Sequence, residues 1–328
     1  MEVGAVTPEV ITSFCQESGI EVVDIQHVQR EVFRATVHRD GEVKTEYIKL
    51  YPRSMLSAVR EVSAIADTIR YPLVDVIADE VLLLFLRETD GYPLSYVLPV
   101  ALVPGIWMFW GGRIENTYQE LGRAFGKLHS ETQSQVRALF EHESIEELHK
   151  ALDGFEEYLT AEHRTSLQQL LEERAMTPVP YAITHGDATP HNLYYTDGDV
   201  EMIDLSFKRT PAVKDHASVL MGVDMMVSRT PYARQRIRQE LLSSYASGYR
   251  RAAGVDPYDE DALLAFTTRY YVALLKRYSG ETRTRHGSIT RITDVPILER
   301  RLTEIADCGK SDDVPSFITE LSAANRSP

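Results

Sequence analysis

The chain has 328 residues, of which 43% are hydrophobic and 26% are charged, so it can bury one large or two modest cores and gives no sign of global disorder. Its formal net charge of −14 argues against nucleic acid or anionic lipid as a partner, because both require basic surfaces. Cys15 and Cys308 are too few for a disulfide framework or a cysteine zinc site, and the first ten residues show no secretory signal, so we expect a cytoplasmic protein.

The N-terminal part is predicted to be a small antiparallel sheet with one helix. Strand-forming residues flank Arg39-Asp40-Gly41, and Asp-Gly between two such runs is a strong hairpin signal. Apolar residues spaced three and four apart predict an amphipathic helix over 54–70, with Ser54 as its N-cap. The segment 74–94 predicts two more strands followed by a polar connection.

The segment 96–112 contains no charged residue. It is short for a membrane-spanning helix and contains Pro99, Pro104 and Gly105, so we expect no stable membrane insertion. We interpret it as a buried or pocket-lining connector, with peripheral contact to a membrane as the alternative.

Beyond residue 112 the pattern is helical. One apolar face is formed by Tyr118, Leu121, Phe125 and Leu128. Further helical periodicity covers 155–174, 215–227, 232–252, 258–278 and 294–307, and two short strands flank a turn at 196–198. The sequence therefore predicts an α+β protein with two domains, 1–90 and 91–328.

The stretch "ITHGDATPHNLYYTDGDVEMIDLSF" holds the residues that indicate chemistry. Asp187 can accept a proton from a hydroxyl group, whereas Asn192 and Asp204 offer the oxygen ligands that Mg²⁺ prefers. The hairpin between Asn192 and Asp204 is short enough to bring the two side chains together. Transfer of a phosphoryl group needs this combination of a base and a held cation.

This stretch resembles the catalytic loop of the protein kinase-like superfamily. His185, Gly186 and Asp187 followed by Asn192, with Pro190 inside the loop, are similar to the aminoglycoside phosphotransferase and choline kinase-like family of small-molecule kinases. The resemblance implies a two-lobed kinase-like fold with a small-molecule hydroxyl substrate. It also implies ATP as the donor, with GTP as an alternative, and Mg²⁺.

The resemblance assigns further residues to nucleotide binding. Lys49 is similar to the strand lysine that binds the α- and β-phosphates, and Glu61 to the helix glutamate that pairs with it. The resemblance also implies a hinge at Arg87, Glu88 and Thr89, whose backbone amides would meet adenine.

Two more residues would support the catalytic loop. Asp215 resembles the aspartate that opens a helix below the loop, and His185 would brace the loop through hydrogen bonds. The sequence departs from the family in Gln26–Arg34, where a phosphate-covering loop would contain glycine. Thr189 also replaces the lysine of Ser/Thr protein kinases, which disfavours a protein substrate.

Two alternatives to a kinase remain. The missing glycine loop favours a nucleotide-binding module without catalysis. A metal-dependent hydrolase would use His185, Asp187, His191 and Asp204 as ligands. The acceptor of a kinase stays open among aminoglycosides, other antibiotics, amino alcohols, sugars and nucleosides. The acidic run 256–261 is interpreted as a helix start capped by Asp256.

Overall fold

The computed structural model describes residues 6–39, 41–103, 105–140, 142–230, 235–257, 259–280 and 285–308. The chain divides into two compact units, Met1–Gly91 with Glu201–Ile203, and Tyr92–Val200 with Asp204–Pro328. The first is a small antiparallel-sheet unit and the second is larger and mainly helical, which confirms the predicted mixed class. That residues 1–90 and 91–328 are domains of different function stays a prediction.

The N-terminal unit is a five-stranded sheet with helices. Its elements are α1 (Pro8–Glu17), β1 (Glu21–Gln29), β2 (Val32–Arg39), β3 (Glu42–Pro52), α2 (Leu56–Ser63), β4 (Leu73–Ala78) and β5 (Val81–Arg87). The strand order is β1-β2-β3-β5-β4, and each neighbouring pair is antiparallel. The β2–β3 hairpin has the predicted position, although Asp40 in its turn lies outside the described residues.

Helix α1 was not predicted from the sequence. Pro8 lies in its first turn, where its missing N–H costs no helical hydrogen bond. Ile11 and Cys15 are fully buried and join the apolar core of the sheet, which includes Phe33 and Phe85. Burial raises the pKa of the Cys15 thiol to about 11, so this cysteine is an inert part of the core.

Helix α2 is shorter than predicted. It ends at Ser63, and turns follow up to Arg70, which adopts a φ of 56°. Ser54 lies in a short 3-10 turn before the helix and does not cap it. Ile69, beyond the helix, is nevertheless fully buried, so the apolar spacing marked burial correctly but not helical conformation.

The C-terminal unit is mainly helical. Its elements are β6 (Tyr92–Pro93), α3 (Leu94–Ala101), α4 (Trp107–Thr132), β7 (Val136–Ala138), α5 (His142–Asp153), α6 (Ala161–Ala175), β8 (Pro178–Thr184), β9 (Leu193–Thr196), β10 (Asp199–Met202), β11 (Lys208–Pro211), α7 (Val213–Arg229), α8 (Gln235–Ala253), α9 (Glu260–Gly280) and α10 (Arg285–Cys308). Two small sheets have the orders β10-β9-β6 and β11-β8-β7, and Glu201–Ile203 are grouped with the N-terminal unit.

Helices α4 and α8 pack with their backbones in close approach. A Cβ atom on Gly122 would lie 1.9 Å from the Tyr245 carbonyl oxygen, and one on Gly248 would lie 1.9 Å from the Gln119 carbonyl oxygen. These positions therefore have no room for a side chain. Since α4 also carries residues that support the candidate site, this helix pair is part of the site's framework.

Helix α7 is buried along most of its length, and a buried carboxylate connects it to the neighbouring helices. Its Asp224 accepts hydrogen bonds from Arg238 on α8 at 2.7 Å, from Tyr271 on α9 at 2.8 Å and from Arg301 on α10 at 2.6 and 2.9 Å. Although burial opposes ionisation, these donors lower the pKa of Asp224. The carboxylate thus joins α7 to three neighbouring helices.

The segment 96–112 was interpreted as a buried or pocket-lining connector, and the expected burial is wrong for several of its residues. The segment forms α3 and the start of α4, and Tyr96, Met108 and Phe109 are 70%, 84% and 80% exposed. No helix among the described residues combines the length and the apolar character needed to cross a membrane.

Candidate active site

The loop 185–192 connects two short strands of the C-terminal unit. It follows β8, whose last residue Thr184 is paired with Lys208 of β11, and it leads into β9. The β9–β10 turn is formed by Asp197 and Gly198, which both adopt positive φ values of 52° and 90°. Two residues of this kind make the tight turn that Asp-Gly favours, so the chain returns directly towards the loop.

Asp215 fixes the backbone at the start of this loop. It lies in the first turn of α7 and is fully buried. Its carboxylate accepts hydrogen bonds from the amides of His185 at 2.8 Å and Gly186 at 2.9 Å, and from His129 Nε2 at 3.1 Å. Burial raises the pKa of Asp215, but the hydrogen bond and charge of His129 outweigh burial, so its pKa is below the ordinary value.

His129 is a support residue that the sequence analysis missed. Because the Asp215 carboxylate only accepts, His129 Nε2 carries a proton and donates it to Asp215, while Nδ1 shares a hydrogen bond of 3.2 Å with the Tyr249 hydroxyl. The His129 ring also stacks on Phe125. Its place on the apolar face of α4 was visible in the sequence, but nothing there indicated a partner 86 residues away.

Gly186 is required by the space around it. Its φ is +86°, and a Cβ atom there would lie 2.8 Å from Ser206 Oγ. Ser206 donates its amide to the His185 carbonyl at 3.0 Å and its hydroxyl to the Thr184 carbonyl at 2.9 Å. A side chain at position 186 would therefore break the contact between the loop and the segment that begins at Asp204.

Asp187 and Asn192 are brought together at the two ends of the loop. Asn192 Nδ2 donates to the Asp187 carbonyl at 2.9 Å and to the Asp187 carboxylate at 3.1 Å. The Asn192 amide in turn donates to the Thr189 carbonyl at 2.9 Å. Since the Nδ2 group is used within the loop, the Asn192 side-chain oxygen is directed elsewhere and keeps its lone pairs for a cation.

Asp204 follows β10 and is exposed. It adopts a φ of 63°, and Phe207, which is buried, adopts a φ of 54°. Left-handed conformations of residues with side chains cost about 1–3 kcal/mol each and persist where the surroundings enforce them. Here the hydrogen bonds of Ser206 enforce them. Asn192 and Asp204 thus offer one neutral and one anionic oxygen, a donor set that fits Mg²⁺.

His185 lies beneath the loop. Its side chain is fully buried and meets the ring of Phe125 edge-on at 6.2 Å. His191, in contrast, is exposed on the loop. Within the described ranges no three His, Cys, Asp or Glu side chains are grouped so that they could hold a metal ion.

Lys49, in the N-terminal unit, lies in β3 between Val32 of β2 and Leu84 of β5. Its ammonium lies 5.0 Å from the centre of the Tyr51 ring. Burial lowers the pKa of Lys49 to about 8, against the charge of Glu31, which raises it. The ammonium is therefore poorly solvated, and an anion that binds beside it would stabilise its charged form.

Glu31 is a second residue that the sequence analysis missed. It forms the β1–β2 turn with Arg30. Because this turn contains no glycine, Arg30 itself adopts a positive φ of 42°. The Glu31 carbonyl accepts a hydrogen bond from the Leu50 amide at 2.9 Å, beside Lys49.

Glu61 lies in α2, is half-buried and accepts a hydrogen bond from Ser57 at 3.3 Å. The pairing of Glu61 with Lys49 stays a prediction.

The expected hinge begins at the end of β5. The Arg87 amide donates to the Pro72 carbonyl at 2.9 Å, and the Arg87 side chain forms an ion pair with Glu201. Because the Arg87 amide is already used, a contact with adenine would require Glu88 or Thr89. Both follow β5 in extended, irregular backbone.

The predicted cap of the helix after the acidic run is wrong by three residues. Helix α9 begins at Glu260, and the Asp259 carboxylate accepts a hydrogen bond from the Ala262 amide at 3.0 Å. Asp256 instead forms an ion pair with Arg250 at 2.7 Å. The run is nevertheless explained by a helix start, as predicted.

Comparison with solved structures identifies proteins of similar fold. Amicoumacin kinase hAmiN, solved in complex with AMP-PNP, Ca²⁺ and Ami, aligns over 90% of this chain and 91% of its own with a TM-score of 0.55 and 17% identity. A thermostable mutant of aminoglycoside phosphotransferase APH(4)-Ia aligns over 90% and 98% with a TM-score of 0.49 and 12% identity. Ethanolamine kinase from Plasmodium vivax aligns over 90% and 86% with a TM-score of 0.45 and 12% identity.

Comparisons with protein-family models and with curated proteins found no match. The likeness to amicoumacin kinase, which spans nearly the whole of both chains, shows a shared fold. The kinase-like fold that the resemblance implied is therefore confirmed.

Proposed function

We propose that the protein is an ATP-dependent phosphotransferase that moves the γ-phosphoryl group of Mg·ATP to a hydroxyl of a small molecule. Residues 1–90 would bind the nucleotide, and residues 91–328 would carry the catalytic loop and the acceptor site. The observation that carries the proposal is the loop itself, in which Asn192 donates to the exposed Asp187 carboxylate while Asp215 fixes the preceding backbone. The fold shared with a kinase solved with AMP-PNP supports the same reading.

Asp187 is proposed to accept the proton of the acceptor hydroxyl. As that proton leaves, the hydroxyl oxygen forms a bond to the γ-phosphorus, the bond between this phosphorus and the β–γ bridging oxygen breaks, and ADP departs. The hydrogen bond from Asn192 holds the carboxylate in one orientation, so little rearrangement is needed when the acceptor binds.

Asn192 and Asp204 would hold the metal ion through their side-chain oxygens. When bound, Mg²⁺ neutralises charge on the phosphate oxygens. The proposed role of Lys49 is to bind the α- and β-phosphates, with Glu61 as its partner, and Glu88 or Thr89 would bind adenine. The lowered pKa of Lys49 supports this role, since a poorly solvated ammonium binds phosphate strongly.

A panel of hydroxyl compounds tests the proposal. The panel contains aminoglycosides, amino alcohols, sugars, nucleosides and hydroxy acids, and ADP release is measured with each compound in the presence of Mg·ATP. At least one compound is expected to accelerate ADP release and to be recovered as a phosphate ester. An excess of chelator should abolish the reaction, because the cation is required.

A nucleotide-binding module without catalysis is the second candidate. It is favoured by the β1–β2 turn, where Glu31 brings a negative charge to the region expected to cover the phosphates. In that case Mg·ATP would raise the melting temperature, but no compound of the panel would yield a phosphate ester.

A further inference from the structure

Two basic side chains of the C-terminal unit, Lys208 and Arg269, act electrostatically on a third, Lys214, on which Asp187 also acts. We call Lys208, Lys214 and Arg269 the basic cluster. Among the residues that the structure describes, none of the three side chains forms a salt bridge or a hydrogen bond. This is unexpected in a chain with a formal net charge of −14, where carboxylates outnumber basic groups.

Lys214 lies against the catalytic loop. It is half-buried in the first turn of α7, and its ammonium nitrogen is 3.6 Å from the position that a Cβ atom on Gly186 would occupy. Gly186 immediately precedes Asp187. The absence of a side chain at position 186 therefore leaves room for a cation beside the proposed base.

The other two members are close enough to act on Lys214 electrostatically. Burial lowers the pKa of Lys214; Asp215 raises it, Arg269 and Lys208 lower it, and Asp187 raises it. Arg269 lies over the rings of Phe140 and Phe266, with its guanidinium carbon 5.5 and 5.3 Å from their centres. The rings restrain the guanidinium without neutralising it.

The carboxylates in this region are already engaged. Asp215 accepts hydrogen bonds from two backbone amides and His129, and Asp187 accepts one from Asn192. Lys214 and Arg269 are half-buried, and no carboxylate among the described residues forms a salt bridge with either, so an anionic ligand that reached them would make charge-assisted contacts that this region of the protein does not itself supply.

We propose that the basic cluster is an anion-binding subsite that receives a carboxylate or phosphate group of the acceptor. The acceptor would then be an anionic hydroxyl compound, such as a hydroxy acid or a phosphorylated alcohol, and not a polycationic aminoglycoside. This inference rests on the proposed phosphotransferase function. The same anionic oxygens could come from the transferring γ-phosphoryl group, and the kinetic experiment below separates the two sources.

Binding of inorganic phosphate tests the subsite without any catalysis. Phosphate is expected to raise the melting temperature of the wild-type protein in the absence of nucleotide, and to do so much less in Lys214→Gln. Lys150→Gln, which changes an exposed lysine of α5, is the matched control and should respond like wild type. Equal responses of wild type and Lys214→Gln would overturn the subsite, whether or not the protein proves to be a phosphotransferase.

Kinetics with matched acceptors identify the source of the anion. Alcohols of one carbon skeleton are compared in neutral, carboxylated, phosphorylated and aminated forms. Wild type should prefer an anionic form, and Lys214→Gln should raise the KM for that acceptor at least tenfold while the KM for Mg·ATP is unchanged. Lys214→Arg should restore most of the loss. A preference for the aminated form, or a change confined to kcat and the KM for Mg·ATP, would overturn the acceptor assignment.

The stability of the variant separates a binding lysine from a structural one. Because the half-buried Lys214 forms no salt bridge with any residue that the structure describes, the melting temperature of Lys214→Gln without ligands should equal or exceed that of wild type. A lower melting temperature with unchanged kinetics would assign Lys214 a structural role and contradict the proposal.

Discussion

The two regions proposed to handle ATP are held in place by different means. The backbone of the loop 185–192 is fixed by two hydrogen bonds that it donates to Asp215 and one that it accepts from the Ser206 amide. Lys49, in the N-terminal unit, lies in a regular strand, and its pKa is lowered by burial and raised by the charge of Glu31. The position of Asp187 in the loop should therefore depend mainly on the residues that anchor the loop, whereas the charge of Lys49 should depend mainly on pH.

The largest effect is expected at the anchor of the loop. Asp215→Asn loses the charge that holds two amides and His129, which should lower kcat about 100-fold through misplacement of Asp187. Loss of this buried interaction should also lower the free energy of unfolding by about 3 kcal/mol. Both quantities can be measured, by steady-state kinetics and denaturant titration.

The carboxylate that caps helix α9 provides the control. Asp259→Ala removes a side chain that also accepts a backbone amide, and it should cost about 1 kcal/mol with no change in kcat. If Asp215→Asn affected stability but left kcat intact, the claim that backbone anchoring positions the base would be wrong.

A second experiment disturbs the framework behind the loop. A Cβ atom at position 248 would lie 1.9 Å from the Gln119 carbonyl oxygen, so Gly248→Ala should force α4 and α8 apart and cost about 2–3 kcal/mol. Gly112→Ala, on α4 and with no atom within 4 Å of the new Cβ, should be neutral or stabilising. Thermal unfolding measures both, and equal melting temperatures of the two variants would contradict the packing argument.

The pH dependence of nucleotide binding examines Lys49. Its pKa of about 8 means that the charge is present below pH 8 and is lost above it. Affinity for AMP-PNP with Mg²⁺, measured by calorimetry, should therefore decrease above pH 8, by up to tenfold for each pH unit. Lys49→Arg keeps its charge in this range and should abolish the decrease. An identical decrease in both proteins would show that another group is responsible.

Glu31 should contribute the smallest effect. Its charge raises the pKa of Lys49, so Glu31→Gln should move the midpoint of the same pH titration to a lower value. Because Glu31 is exposed and solvent screens its charge, we expect an energetic effect below about 1 kcal/mol. Glu21→Gln, at the far end of β1, should leave the midpoint unchanged. A shift to higher pH would contradict the assigned sign.

The sequence was sufficient where the signal is local. The loop with Asp187 and Asn192, the turn at Asp197 and Gly198, and most helices of the C-terminal part follow from short spacings and turn residues. Helix α1 has only ten residues and was not predicted, although Val10, Ile11, Phe14 and Cys15 have helical spacing. The predicted helix 54–70 was too long because buried residues beyond Ser63 continue the helical spacing.

The contacts that hold the site could not be read from local patterns. His129 reaches Asp215 over 86 positions, and Ser206 reaches Thr184 over 22. Lys214 adjoins Asp215 in sequence, but only the fold brings its ammonium to Gly186 and leaves it without a partner among the described residues. Contacts between residues so far apart in sequence depend on tertiary packing, and no periodic pattern in the sequence indicates them.

The central claim is that Asp187 is the base of a phosphoryl transfer. Its most direct test is to measure nucleotide binding and product formation side by side in Asp187→Asn, using the acceptor identified with the wild-type protein. We expect the rise in melting temperature caused by Mg·AMP-PNP to persist, while formation of the phosphate ester falls at least about 100-fold. Product formation at the wild-type rate would contradict the claim.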